Sequence, residues 1–307
     1  MLPHIRIASS RTSSVMDRFA VLLTLVKIKI SLLVTFSAAA GYVLTAGLIK
    51  METLIVTAGV LFLACGSCAL NQYQERKIDE LMERTKSRPL PSRKLEPTTA
   101  LWVASGLISL GSIVLLYGAG HASLGLGLFA VLWYNGFYTP LKQRTAFAAI
   151  IGALVGAIPP ILGWVSGGGS ILDSRIWGIA LFFFIWQVPH FWLLLLDYSK
   201  DYDKAGLPSI TKIFSREQIK RIIFIWLLST GISGLCIFSF HAVYLGLARF
   251  FLLASTFWHI WNSFRFFKSD SEEINLRTAF TRLNIYAILV LFLLSSDKLL
   301  MQTDLNF

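Results

Sequence analysis

The chain has few of the residues on which disulfide-bonded and ordinary soluble proteins depend. Of its 307 residues, only 3 are cysteine, and only 15% are Asp, Glu, Lys or Arg. An odd number of cysteines, all within apolar runs, does not make the framework of paired disulfides that small secreted proteins use. So little charge also excludes an ordinary soluble domain, in which about 25% of the residues are charged.

Acidic residues are especially scarce, yet the basic excess does not indicate nucleic acid. The chain has 17 Asp and Glu against 28 Lys and Arg, a formal net charge of +11. In a nucleic-acid-binding domain, such an excess forms a basic face on a solvated surface. Here the Lys and Arg lie in short loops between apolar runs, so we expect no nucleic acid among the partners.

Apolar sequence is what the chain has in abundance. It is 55% hydrophobic, with a mean hydropathy of +0.65. Runs of about 20 apolar residues recur along it, and each is long enough to cross the hydrocarbon layer of a lipid bilayer, about 30 Å. We therefore predict an all-α fold, a polytopic membrane helical bundle with about nine transmembrane helices. The spans are expected near residues 29–48, 54–71, 98–118, 122–140, 147–166, 176–196, 219–240, 243–264 and 280–300.

The predicted chain has three parts and one orientation. Residues 1–28 are a cytoplasmic tail and interfacial lead-in, 29–300 a single transmembrane domain, and 301–307 a short C-terminal tail. Lys and Arg concentrate in alternate loops, near 75–97, 141–146, 197–218 and 265–279. Because basic loops stay on the cytoplasmic side of a membrane, this alternation predicts a cytoplasmic N-terminus.

A row of polar side chains, the oxygen ladder, continues from the end of the second apolar run. In the stretch from Asn71 to Pro91, NQYQERKIDELMERTKSRPLP, the residues Asn71, Glu75 and Asp79 recur every four positions. On a helix, that spacing places their oxygens on one face. Oxygen ligands emerging from an apolar helix are costly unless a cation lies against them. The ladder therefore indicates a cation-binding site.

A second acidic pair follows the sixth run. In LLLLDYSKDYDKAGLP, from Leu193 to Pro208, Asp197 and Asp201 are again four residues apart. Both acidic sets lie where an apolar helix reaches the predicted cytoplasmic edge. Mg²⁺ binds a few carboxylate oxygens and completes its coordination with water and substrate phosphate. The basic residues that would complement phosphate charge are Arg84, Lys86, Arg88, Lys142, Lys200 and Lys204.

The residues alone leave three interpretations of these clusters. Charges at a helix end are often solvated boundary residues with no ligand. A transporter that uses intramembrane carboxylates to bind ions is a second interpretation. A metal-bound diphosphate at the membrane surface is the third. It is favoured because two clusters share the same spacing and the same side, whereas a transporter predicts acidic groups at mid-membrane and an internal repeat.

The motifs resemble a known family. Asn71-x-x-x-Glu75-x-x-x-Asp79, followed by RTKSRPLP, is similar to the first signature of the UbiA-type intramembrane prenyltransferases. Further stretches resemble the branch of that family that farnesylates haem: YTPLKQRT at 138–145, GALVGAIPPILGW at 152–164, WQVPHFW at 186–192 and DYDKAGLP at 201–208. The resemblance covers residues 27–208. Glu75 stands where Asp is common, and Ala148 where related sequences usually carry Asn.

The resemblance implies a reaction. It implies transfer of a farnesyl group from farnesyl diphosphate to the vinyl group of haem B, with water added to give the side chain of haem O, and Mg²⁺ as cofactor. The implied catalytic carboxylates are Glu75, Asp79, Asp197 and Asp201. The metal ligands are these four and Asn71. The diphosphate-binding residues are Asn71, Arg84, Arg88, Lys142 and Lys200. Another aromatic or quinone-precursor acceptor is the alternative.

The resemblance also implies a location and a further site. It places the chain in the bacterial cell inner membrane with the active site facing the cytoplasm, and raises haem A synthase or oxidase assembly factors as partners. His190, seven residues before Asp197, falls near the same helix face. It either ligates or orients the haem, or only forms a hydrogen bond with a neighbouring helix after Pro189.

Overall fold

The computed structural model describes residues 15–240, 242–269 and 275–304. Within those ranges all regular structure is helical, as predicted. The helices are α1 (Val15–Leu25), α2 (Ile28–Ala46), α3 (Met51–Asp79), α4 (Pro97–Leu132), α5 (Thr139–Leu141), α6 (Ala148–Gly152), α7 (Leu154–Ser166), α8 (Ser174–Asp197), α9 (Ser199–Lys204), α10 (Arg216–Ser239), α11 (Gly246–Lys268) and α12 (Leu276–Asp304). A π-helical turn, Trp133–Tyr138, joins α4 to α5, and a 3₁₀ turn, Ile210–Lys212, precedes α10. The first half of the predicted tail and lead-in, residues 1–14, lies outside the described ranges.

The number of membrane spans differs from the prediction. Seven helical segments in the described ranges are long and apolar enough to cross a membrane, so the expected count of about nine is not confirmed. Two segments account for the difference. The 45-residue stretch Pro97–Leu141 is one candidate span where two were predicted. Helix α11 is not among the candidate spans, although one was predicted there.

The stretch Pro97–Leu141 reverses direction at Gly120. Gly120 has φ 82° and ψ 179°, a conformation that interrupts the helix and favours glycine. A Cβ atom built on Gly127 would lie 3.0 Å from Cδ1 of Leu115. In a straight helix these residues would be about 18 Å apart. The segment therefore folds back on itself as two limbs, which occupy the positions of the predicted spans 98–118 and 122–140.

Helix α11 is less apolar because it buries polar side chains. His259, Asn262 and Ser263 are all buried. The ring Nε2 of His259 lies 2.9 Å from the Leu227 carbonyl oxygen of α10. Because a carbonyl only accepts, Nε2 donates this bond. Polar residues that find partners inside the bundle lower the hydropathy of a helix without exposing it to water.

Helices α2 and α7 pack unusually closely. A Cβ atom at Gly163 would overlap the carbonyl oxygen of Ala38, and one at Gly41 would overlap that of Pro160. Small residues at helix contacts allow this approach in membranes, where packing drives association. The contact holds α2 against the helices that surround the predicted site.

The two acidic motifs end on the same side of the bundle. Met82, just after α3, packs with Tyr202 and Leu207, which follow α8, in one small hydrophobic cluster. The carboxylate of Asp201 accepts a hydrogen bond from the backbone N–H of Arg84, at 3.0 Å. These contacts bring the start of the loop after α3 against the segment that follows α8.

The close packing of α2 and α7 predicts the effect of one methyl group. We expect Gly163→Ala to lower the stability of the protein by roughly 1–3 kcal/mol, since the added Cβ forces the two backbones apart. The change would appear as a lower midpoint of thermal unfolding in detergent.

Gly106→Ala is the matched control. Gly106 is also helical, but a Cβ there meets no atom within 4 Å. Alanine is the better helix former, so this variant should be as stable as the wild type or more stable. An equal loss of stability in the two variants would contradict the packing argument.

Candidate active site

The oxygen ladder lies on one buried face of α3, as its spacing predicts. Asn71 is 2% exposed, Glu75 4% and Asp79 0%. Each of the three meets a cation. Lys27 Nζ donates to Asn71 Oδ1 at 2.7 Å, and Lys142 Nζ donates to Glu75 Oε1 at 3.0 Å. Arg88 Nη1 donates to both carboxylate oxygens of Asp79, at 2.9 and 2.8 Å. The two carboxylates of the ladder are therefore charge-compensated, and the neutral Asn71 amide accepts a hydrogen bond from a lysine.

Three separate segments supply these cations. Arg88 comes from the loop after α3, and Lys142 follows α5. Lys27 lies between α1 and α2 with φ 47° and ψ 52°, a left-handed conformation that is uncommon for a residue other than glycine. The chain turns sharply there, and the Lys27 side chain reaches α3.

Burial and charge act in opposite directions on the two lysines. Burial lowers the pKa of Lys27, because it disfavours the charged form. Burial is also the largest single influence on Lys142, but the Glu75 carboxylate together with Tyr202 and Tyr138 outweighs it, so the pKa of Lys142 is raised. Lys142 is therefore a fixed positive charge, and Lys27 is the more readily neutralised of the two.

A cavity of about 150 Å³ opens beside Asn71 and Glu75 of the ladder. Its polar wall contains Asn71 and Glu75 with four basic side chains, Lys27, Arg84, Arg88 and Lys142. Its other wall contains Tyr134, Tyr138, Phe191, Leu194 and Leu195. The lining thus combines charged side chains with aromatic and apolar ones.

The π-helical turn positions the aromatic side chains of the cavity. Asn135 in this turn is buried and donates to the Ser67 carbonyl of α3 at 3.0 Å. Tyr138, at the end of the turn, stacks on Phe191 with ring centroids 5.5 Å apart. A Cβ at Gly152 would overlap the Tyr138 ring, so the glycine allows the ring to lie there.

The second motif is only partly assembled at the cavity. Asp201 is 8% exposed and is held by the Arg84 backbone, as described above. Asp197 is exposed and does not line the cavity, and the same is true of Lys200. Lys204 lies 3.6 Å from Glu83 in an exposed ion pair. The structure therefore brings the first motif and Arg84 together, and leaves Asp197 and Lys200 outside.

The Arg84 side chain has an unsatisfied donor. Its guanidinium lies over the Tyr198 ring, 4.4 Å from the centroid. Its Nε atom is buried and has no hydrogen-bond partner among the described residues. A buried donor without an acceptor is costly, so this atom favours an anion in the cavity.

His190 lies in an aromatic box beside α12. Its ring centroid is 4.8 Å from those of Trp186 and Phe280. Its Nδ1 is 2.8 Å from Asn284 Oδ1, and because an amide oxygen only accepts, Nδ1 carries the proton. The bond to a neighbouring helix that the second interpretation of His190 expects is therefore present. The other ring nitrogen, Nε2, keeps its lone pair.

Sequence reasoning assigned no role to several residues of the site. Lys27 and Thr139 both bond Asn71, the latter by accepting from Nδ2 at 3.0 Å. Asn284 fixes the tautomer of His190 from 94 positions away. Of these residues, only Lys27 could have been identified from the sequence. A lysine directly before an apolar helix is within reach of the membrane edge where the acidic residues were predicted.

The donor set fits a magnesium ion by its chemistry. Among the described residues no group of three or more His, Cys, Asp or Glu side chains is placed to hold a metal ion together. Mg²⁺ does not require one, since it is usually bound by one or two carboxylates together with substrate phosphates and water. Asn71 and Glu75 present such oxygens to the cavity.

Known proteins share both the sequence and the fold. The protoheme IX farnesyltransferase of Geobacter sulfurreducens is 44% identical over 189 residues, 62% of this chain and 70% of that protein. The fold is similar to digeranylgeranylglyceryl phosphate synthase, with TM-score 0.74, 15% identity and coverage of 92% of this chain and 99% of that one. A UbiA homologue from Archaeoglobus fulgidus bound to GPP and Mg²⁺ has TM-score 0.67, 13% identity and coverage of 91% and 99%.

The family is shown by a match over most of the chain. Residues 32–288 match the UbiA prenyltransferase family, a range that contains the ladder, the second motif and the aromatic wall of the cavity. The chain belongs to the UbiA prenyltransferase family.

Proposed function

We propose that this chain transfers a farnesyl group from farnesyl diphosphate to a vinyl group of haem B, giving the hydroxyethylfarnesyl side chain of haem O. The observation that carries the proposal is the cavity that is lined by both charged side chains and aromatic or apolar ones. Such a cavity suits a molecule with an anionic head and an apolar tail. The relative named protoheme IX farnesyltransferase supports both the farnesyl donor and the haem acceptor.

The basic side chains of the cavity would bind the diphosphate. Arg84, Arg88 and Lys142 line it, and Lys27 adds a fourth positive charge. Guanidinium groups bind phosphate oxygens through paired N–H donors, so the free Nε of Arg84 gains a partner when the substrate enters. Lys200, which is exposed, would act at the mouth of the cavity.

Magnesium belongs to the same proposal. Its ligands would come from Asn71, Glu75, Asp79, Asp197 and Asp201. When bound, Mg²⁺ neutralises charge on the leaving diphosphate. Until then, Lys142 and Arg88 form ion pairs with the buried carboxylates of Glu75 and Asp79.

The apolar wall would control the carbocation. Ionisation breaks the allylic C–O bond and releases diphosphate. The vinyl carbon then forms the new C–C bond, and water adds to the resulting cation with loss of one proton. Tyr134, Tyr138 and Phe191 present ring faces that stabilise positive charge. The surrounding apolar side chains keep water from the first cation.

His190 would position the acceptor. Asn284 holds the proton on Nδ1, so the Nε2 lone pair is free to ligate the haem iron or to accept from a propionic acid group. Trp186 supports this role, since its indole N–H is buried beside His190 with no partner among the described residues.

The proposed location follows the charge pattern. The seven candidate spans make this an integral membrane protein. We place it in a bacterial inner membrane with the cavity facing the cytoplasm, where the basic loops lie. Haem A synthase and oxidase assembly factors are the proposed partners.

Purified protein should make a defined product. With haem B, farnesyl diphosphate and Mg²⁺, we expect a haem heavier by one farnesyl group plus water, measured by mass spectrometry.

No haem product, combined with prenylation of 4-hydroxybenzoate, would overturn the acceptor and keep the family chemistry. A control without Mg²⁺ tests the cofactor, and undiminished turnover in its absence would refute it.

Asp79→Asn should reduce kcat/KM by roughly 100-fold. The variant keeps the size of the side chain but removes the charge that faces Arg88 and the metal. Steady-state kinetics over a range of Mg²⁺ concentrations would measure the loss.

Glu83→Gln makes the same charge change in an exposed side chain of the loop that follows α3. It should keep wild-type kinetics. If Asp79→Asn were as active as Glu83→Gln, the ladder would have no catalytic role.

His190→Ala should abolish the shift of the haem Soret band that ligation produces, while farnesyl diphosphate affinity stays unchanged. Asn284→Leu should weaken the same shift, because Nδ1 loses its acceptor. Absorption titration with haem B measures both.

His121→Ala removes an exposed histidine and serves as the control. A Soret shift that is unchanged in His190→Ala would leave the histidine with a packing role only.

A further inference from the structure

A second cleft lies between α10, α11 and α12. It has a volume of about 190 Å³ and shares no lining residue with the cavity beside the ladder. It opens where α11 ends and α12 begins, near residues 269 and 275. These helix ends mark the level at which the chain leaves the hydrocarbon layer, which is where lipid phosphates lie.

Two guanidinium groups line this cleft. Arg265 is exposed on α11, and Arg282 is partly buried on α12. Within residues 15–240, 242–269 and 275–304, no Asp or Glu lines the cleft and neither guanidinium has an ion pair. Like charges that share a cleft repel each other unless an anion lies between them.

A buried lysine adds to the charge at this end. Lys220 of α10 is 8% exposed. Its Nζ donates to the backbone carbonyl of Ser269, which lines the cleft, and lies 5.7 Å from the Phe267 ring. None of the described carboxylates pairs with it. A lysine that served only as a basic residue on the cytoplasmic side of the membrane would be solvated. Because Lys220 is buried, that explanation does not account for it.

The cleft also offers neutral donors. Thr278 and Asn262 line it together with the arginines, and Asn262 has a second amide N–H besides the one that donates to the Trp258 carbonyl. The Ser263 hydroxyl also lines the cleft, but it donates to the His259 carbonyl. Arginine forks and hydroxyl groups together form the usual surroundings of a bound phosphate. Basic pockets between membrane helices recognise anionic lipid headgroups in this way.

We propose that this cleft binds a phosphate group, carried by an anionic lipid or free in solution. The site is separate from the diphosphate cavity and does not depend on the proposed farnesyl transfer. Arg265 and Arg282 hold the phosphate between α11 and α12, and Lys220 contributes long-range attraction.

The test uses the full chain in detergent with defined probes. Native mass spectrometry would measure binding of phosphatidylglycerol, with phosphatidylcholine as the neutral comparison. We expect one preferred phosphatidylglycerol site. The double variant Arg265→Gln/Arg282→Gln should weaken it at least about tenfold, because each arginine provides a charge-assisted hydrogen bond.

Arg277→Gln is the matched control. Arg277 is exposed near the start of α12 and does not line the cleft, so affinity should be unchanged. Arg265→Lys/Arg282→Lys keeps the charge and should give an intermediate affinity, which keeps the test informative if the glutamine variant does not fold. Inorganic phosphate that displaces the lipid identifies free phosphate as sufficient, and lipid that is not displaced identifies the headgroup.

Three results would overturn the proposal. One is equal binding of the two lipids. A second is equal weakening in the Arg277 control. The third concerns the acidic residues between α11 and α12, Asp270, Glu272 and Glu273. Phosphatidylglycerol binding that appears only when these are changed to amides would show that they, and not a ligand, neutralise the arginines.

Discussion

The site depends on the cost of placing charge at the end of an apolar helix. Asn71, Glu75 and Asp79 are all buried, and ionised oxygens in such surroundings are stable only beside cations. The chain meets this need with three basic side chains, Lys27, Lys142 and Arg88. Because these come from different segments, the compensation also joins the α1–α2 turn, the loop after α3 and the segment after α5 into one polar mouth.

The same constraint links the fold to the proposed chemistry. In the proposed function, an incoming diphosphate would take over contacts with the basic side chains, and its metal ion would take their place beside the ladder oxygens. The aromatic residues, positioned by the π-helical turn through Asn135, line the same cavity as the charged ones. The carbocation would therefore form close to aromatic rings, which stabilise positive charge.

Much of this arrangement was predictable from local patterns. The spacing of Asn71, Glu75 and Asp79 placed them on one helix face, and apolar runs located the helices to within a few residues. The expected count of about nine spans is not confirmed, and there is a physical reason. Hydropathy measures composition, whereas α11 buries its polar residues in the bundle and Pro97–Leu141 turns back at a single glycine. Neither property is visible in a window average.

The sequence by itself determined the helical membrane class, the oxygen ladder and the acidic and basic residue types of the site, because each follows from spacing and composition along one segment. Tertiary structure alone decided which residues meet. It placed Lys27 on Asn71, fixed the tautomer of His190 through Asn284, and left Asp197 exposed while burying Asp201. These outcomes depend on how distant helices pack, and packing is a property of the whole bundle rather than of any one stretch.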